Sequence, residues 1–212
     1  AIPDKANALV LIPTGAIEQH GRHLPVGVDS ILGQAWLTHT LPRLPASAPV
    51  YVAPPITFAK SNEHVGFPGT IYTSAKILRR LLLALARQLQ ALGFRHIALL
   101  NTHGGNSAVN VYTLREIQET LGLRAISPLE AEYGFHAAHW ETALMLAAAP
   151  QTVHMENAVC EFPARLEDPG ELRPENAPAI FSWISSDISD SGVMGDAPLA
   201  TSADGEAWFS AA

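Results

Sequence analysis

Ala8-Leu-Val-Leu-Ile-Pro13 leads, after a short bridge, into Glu18-Gln-His20-Gly-Arg-His23-Leu-Pro-Val-Gly-Val-Asp29. The first stretch is a continuous apolar run of the length of a strand buried on both faces. The second packs two carboxylates and two imidazoles close together. A buried strand that empties into charge belongs to a parallel sheet, with ligands expected beyond its carboxyl end.

The same alternation continues along the chain. Val50-Tyr-Val-Ala53, closed by Pro54-Pro55, Arg95-His-Ile-Ala-Leu-Leu100 and Leu123-Arg-Ala-Ile-Ser127 read as further strands. Helical periodicity covers Ile31 to Leu41, Thr73 to Leu92, Ser107 to Leu121 and Trp140 to Ala148. Ser74 or Thr73 suits a helix N-cap, and Gly93 and Gly122 suit helix stops. The expectation is one α/β domain over residues 1–212, with a mainly parallel sheet and helices on both faces. Glu161 to Asp190, richer in Pro, Asp, Glu and Ser, reads as an irregular excursion rather than a second domain.

Composition excludes several classes. A net charge of −7, with no basic cluster beyond Arg79-Arg80, disfavours a nucleic-acid partner. No apolar run reaches the ~18 residues of a membrane span. Cys160 is the single cysteine, so an internal disulfide and a multi-thiolate zinc site are both excluded, and the thiol is expected to be buried. The absence of a leader pattern in Ala1-Ile-Pro-Asp-Lys makes a cytoplasmic location the expectation.

Three polar clusters follow apolar segments. Glu18, His20 and Asp29 offer oxygen and nitrogen donors that suit zinc or manganese, although Asp29 also suits a helix cap. In Asn101-Thr-His103-Gly-Gly-Asn106 an imidazole sits between a strand end and a helix start, where glycines let backbone approach a ligand. A phosphate loop is a further reading there, but no Lys follows. In His136-Ala-Ala-His139-Trp-Glu141, two imidazoles lie about one helical turn apart beside a carboxylate. Each cluster alone also reads as an ordinary polar turn; together they point to a metal hydrolase.

These segments resemble the creatininase (creatinine amidohydrolase) family. The first is similar to its Pro-x-Gly-x-x-Glu-x-His-Gly-x-His-Leu-Pro signature, and Asn101 to Asn106 to its Asn-Gly-His-Gly-Gly-Asn. Ser61-Asn-Glu-His64 with Phe67-Pro-Gly-Thr70, His136 to Met145, and Ser191 to Asp196 with Gly205-Glu206 resemble its other motifs. The resemblance implies a site with two divalent ions, zinc or manganese or iron, and hydrolysis of a non-peptide C–N bond in a small molecule. It places Glu18, Asp29 and His103 on one ion and His20 with Asp29 on the other. It makes His136 an acid/base or substrate contact, Glu141 its support, and Ser61 and Gly104 substrate contacts. It also implies a homo-oligomer, hexameric in many members.

Departures limit the match. Gly104 and Gly105 stand where true creatininases carry a Tyr over the substrate and a Glu on the second ion, so creatinine is not the expected substrate. His139 stands where Gly-Gly relatives carry a Glu, and is the expected replacement ligand. Family relatives that cleave a C–C bond of a cyclic ketone, and a degenerate metal-binding paralogue, are the rival readings.

Overall fold

The computed structural model describes residues 2–122, 124–126, 136–162, 172–173, 179–180 and 183–211. β1 (Leu9–Thr14) holds most of the opening apolar run and lies inside a four-stranded sheet. β2 (Val50–Val52) and β3 (His96–Asn101) flank it, and β4 (Arg124–Ile126) pairs with β3, giving the order β2-β1-β3-β4. All three pairings are parallel. Of the strand expected at its end, Leu123 and Ser127 lie outside the described residues.

Register explains the core. Val10 pairs with Ile97 and Ile12 with Leu99, so four buried side chains share one face of the sheet. α2 (Ala75–Ala91) and α3 (Ser107–Leu121) cover that face with Leu78, Leu82, Leu83, Leu114 and Ile117. Ser74 caps α2 by accepting the N–H of Ile77, and Gly122 ends α3 in the left-handed region at φ 64°. α1 (Val28–Thr40) lies against the opposite face, where its Leu37 and the Pro13 of β1 line a common pocket. The α/β class, with helices on both faces, is as expected.

By density of internal contacts the chain divides into two units. One comprises Ala1–Ile17, Asp29–Ser61 and Ile71–Glu130 and holds the sheet; the other comprises Glu18–Val28, Asn62–Thr70 and Ala131–Ala212. In the second, α4 (His139–Ala148) packs on α6 (Ser202–Ala211). β5 (Cys160–Glu161) pairs antiparallel with β8 (Gly195–Asp196), β6 (Leu172–Arg173) pairs with β7 (Ala179–Ile180), and α5 (Ser185–Ile188) is a single turn. Much of the expected irregular excursion, residues 163–171, 174–178 and 181–182, lies outside the described residues.

α6 is a helix that periodicity did not indicate, because Gly205 interrupts it. That glycine serves packing: a Cβ there would stand 2.1 Å from the carbonyl oxygen of Ala143 in α4. Gly205→Ala must push the helices apart, at a cost of about 1–3 kcal/mol and roughly 3–10 °C in Tm. Calorimetry checks this, and an unchanged Tm contradicts it. Cys160 corrects another expectation, since the thiol is exposed. On this short edge pair Glu161 is the residue that turns inward, accepting the N–H groups of Asp190 (2.7 Å) and Ser191 (2.9 Å). No described helix is long and apolar enough to cross a membrane.

Candidate metal centre

In the sheet-bearing unit the site residues sit beyond the carboxyl ends of β1 and β3. Thr102 donates its N–H to Thr14 (3.1 Å) and its hydroxyl to the Asp29 carbonyl (2.7 Å), tying the two strand ends to the first turn of α1. Asn106 donates to the Gly15 carbonyl (3.0 Å) and accepts the Lys60 N–H (3.1 Å). These bonds fix the helix start that carries Asp29 and the loop that carries His103, residues that are 1% and 4% exposed.

The proton on His103 follows from its neighbours. Nε2 lies 2.7 Å from the Lys60 carbonyl oxygen, which can only accept, so Nε2 carries the hydrogen. Nδ1 is then the lone-pair nitrogen, and it faces Asp29 Oδ2 at 3.4 Å. Gly104, exposed, opens a 3-10 turn, and a side chain added there would meet nothing within 4 Å. Ser61 is fully buried.

The second unit contains Glu18, His20, His64, His136 and Glu141. His20 Nδ1 donates to the Glu18 carbonyl oxygen (3.1 Å), so its Nε2 is the nitrogen that faces Glu18 Oε1 (3.8 Å) and Glu141 Oε1 (3.7 Å). His136 Nε2 donates to the Gln19 carbonyl oxygen (2.8 Å), and its Nδ1 faces Glu18 Oε1 at 3.6 Å. Burial, with the neighbouring His20, pushes His136 below the ordinary imidazole range and keeps it neutral. Burial alone would raise Glu141, yet His20 and the Ala137 N–H at 2.5 Å hold it well below the usual carboxylate range. Ala137 adopts φ 51°, the left-handed region, between His136 and α4. Ala138 is extended at φ −94°, so its Cβ imposes no strain.

His64, quoted in a motif but given no role, is a site residue the sequence reading missed. It is buried, with Nδ1 2.9 Å from both Gln19 Nε2 and Ser185 Oγ, and Nε2 3.6 Å from Glu18 Oε2. Burial, reinforced by His136, lowers its pKa to about 3. A histidine next to Glu in an otherwise polar loop was the available signal, but such pairs are common on surfaces. His23 is buried beside Thr142 Oγ1 (3.0 Å), with its pKa lowered to about 4 by burial and then by His20. A pKa below the unfolded value means the fold favours the neutral ring. That stability is complete above pH ~6.5 and is lost as pH falls toward 4. Discounted for screening, the loss at pH 5 is on the order of 1 kcal/mol, about 2–4 °C in Tm. Chelated protein is expected to show this drop in addition to those from His64 and His136, whose pKa values burial also lowers, and His23→Asn to remove only the His23 part of it.

His139, the expected replacement ligand, is placed elsewhere. Its Nε2 lies 3.2 Å from Asp204 of α6, whose carboxylate also accepts the Thr201 hydroxyl at 2.7 Å. Among the described residues, none of the ion-sized groups of His and carboxylate donors includes His139.

The donor set fits a divalent cation. Two donors 2.0–2.2 Å from a tetrahedral ion stand roughly 3.3–3.6 Å apart. The His–carboxylate spacings here, 3.4–3.8 Å, match that better than a direct hydrogen bond. The profile of the creatininase family, described as creatinine amidohydrolase, matches residues 1–212. The chain belongs to the creatininase family. It is 34% identical to a mycofactocin precursor peptide peptidase of Mycolicibacterium smegmatis, over 95% of this chain and 79% of the relative. It is 28% identical to a creatinine amidohydrolase of Pseudomonas putida, over 74% of this chain and 71% of that protein. Among solved structures, a creatininase variant of zinc–zinc type superposes with TM-score 0.77 at 23% identity, covering 96% of this chain and 86% of the other. A manganese creatininase gives 0.73 at 24% identity over the same shares, so these likenesses establish the creatininase-like fold.

Proposed function

We propose that this creatininase-family hydrolase is metal-dependent and cleaves an amide C–N bond with water, using divalent zinc or manganese. One observation carries the reading. His20, His103 and His136 each give one ring N–H to a backbone carbonyl and turn the other nitrogen toward a carboxylate. That is the arrangement by which metal-ligating imidazoles are oriented. The proposed ligands are Glu18, His20, Asp29 and His103. A bound divalent ion would polarise a carbonyl oxygen and acidify water.

The remaining steps belong to the chain's own groups. Glu141, held as a carboxylate, is the proton acceptor, with the Ala137 N–H fixing Oε2 so that Oε1 is the working oxygen. N–H groups of the exposed Gly104 turn are the proposed donors to a developing oxyanion. The absence of side chains at Gly104 and Gly105 leaves room that a creatinine pocket would not need.

The sequence led to a non-peptide amide. A second reading, a peptide amide, is favoured by the identity to a named precursor-peptide peptidase. A panel of cyclic amides and short peptides, assayed before and after chelation, separates them. Turnover is expected to vanish on chelation and return with zinc or manganese; undiminished turnover in chelated protein would overturn metal dependence. His103→Ala is expected to lose both an ion and activity.

A further inference from the structure

We infer that Gln19 is a positioning residue: its side-chain amide, held by a turn that Glu161 clamps, keeps the ring hydrogen of His64 on Nε2, facing Glu18. Its part in the reaction rests on the metal-dependent reading above, through Glu18; the hydrogen position itself does not. All the residues involved lie in the second unit.

Two backbone groups orient the amide. The Gly21 N–H, which can only donate, meets Oε1 at 2.9 Å, and the Gly192 carbonyl oxygen, which can only accept, meets Nε2 at 3.2 Å. The remaining hydrogen of Nε2 goes to His64 Nδ1, 2.9 Å away, so that ring nitrogen supplies a lone pair. Burial keeps the ring neutral, and its one hydrogen is then on Nε2, which faces Glu18 Oε2 at 3.6 Å. Ser185 Oγ, 2.9 Å from the same Nδ1, is a hydroxyl that can donate and so fits this tautomer. His136 Nε2 gives its hydrogen to the Gln19 carbonyl, so its 3.3 Å approach to the amide is a contact between two donors. The Gln19 N–H goes to Thr70 Oγ1 at 3.1 Å. Every polar atom of Gln19 is engaged by protein and the residue is buried, so it acts through His64 rather than on substrate.

The Gly192 carbonyl is itself held by a bonded turn. Ser189 Oγ accepts the Gly192 N–H (2.9 Å) and donates to the Val193 carbonyl (2.8 Å), while Ser191 Oγ accepts the Val193 N–H (3.1 Å). Glu161, on β5, closes this turn from the other side. Its Oε1 accepts the Asp190 N–H, and its Oε2 accepts both the N–H and the hydroxyl of Ser191. Partial burial raises Glu161, but these donors outweigh it and hold the carboxyl below its ordinary range, so the clamp is charged. Gly192, at φ 83°, lets the turn close on the amide, since a Cβ there would come 2.0 Å from Gln19 Oε1. A carboxylate outside the site thus reaches Glu18 through one turn, one amide and one imidazole.

The test uses the full chain, stripped of metal and isotope-labelled at histidine, and reads ring hydrogens by long-range proton–nitrogen NMR near neutral pH. The His64 signals are assigned by their loss in His64→Gln. Wild type is expected to carry the His64 hydrogen on Nε2 alone; a hydrogen on Nδ1 would overturn the inference. Gln19→Glu, which puts an acceptor where the donor stood, should bring a hydrogen onto Nδ1, and a ring unchanged from wild type would show that residue 19 does not set it. Zn2+ titration reads the consequence for Glu18. Gln19→Met, of similar size but without donors, should bind Zn2+ about 10-fold more weakly, and Glu161→Ala about 3-fold more weakly. The Glu161→Ala loss should disappear in the Gln19→Met background, because the clamp acts through the amide. Equal losses in both backgrounds would overturn the clamp, and wild-type affinity in Gln19→Met would overturn the positioning role. Wild type that takes up no Zn2+ would overturn the metal-dependent reading instead, and the ring hydrogens would still decide whether Gln19 sets His64.

Discussion

Glu18→Ala is expected to remove at least one ion and to lower kcat/KM by at least about 10³-fold. Glu18 is 1% exposed, and its two oxygens face His20, His64 and His136 at 3.6–3.8 Å. A buried carboxylate is costly to desolvate, so in the absence of an ion it does little for the fold. Chelated Glu18→Gln should therefore unfold at the temperature of chelated wild type or slightly above it, while the stabilisation by added zinc is lost. Mass spectrometry for metal, steady-state assay and calorimetry with and without zinc read the three parts. A variant that keeps its ion and turns over normally would remove Glu18 from the site.

Glu141→Gln is expected to behave differently. Loss of a positioned proton acceptor costs about 10²–10⁴-fold in kcat. The amide keeps an oxygen to accept the Ala137 N–H, so the turn at His136 and the start of α4 should persist. Ion content and KM should stay close to wild type, which separates this residue from Glu18. A kcat within threefold of wild type would show that Glu141 does not take the proton.

The fold was legible where hydrophobic period and punctuation agreed. β1, α2 and α3 appear within a few residues of expectation because an apolar run, a Ser cap and the glycines at 93 and 122 mark their limits. α6 was not, since Gly205 serves a contact with Ala143 that only the folded chain supplies. Glu18, His20 and His136 were singled out through their motifs, but the hydrogen positions of the two imidazoles depend on the carbonyls of Glu18 and Gln19, which no motif specifies. His64 was quoted and passed over because its meaning comes from Gln19 and Ser185, the latter 121 positions away. His139 looked like a ligand by spacing, whereas the packing of α4 on α6 gives it Asp204. Cys160 was misjudged because burial of a small thiol is a general tendency, and a two-residue edge strand decided otherwise.

The central claim is that these buried imidazoles and carboxylates hold metal. Metal content per chain, measured by mass spectrometry on protein purified without chelator or affinity nickel, tests it most directly. Two equivalents of zinc or manganese are the predicted result, falling by one or more in Glu18→Ala. Protein that carries none, and takes up none when supplied, would contradict the account.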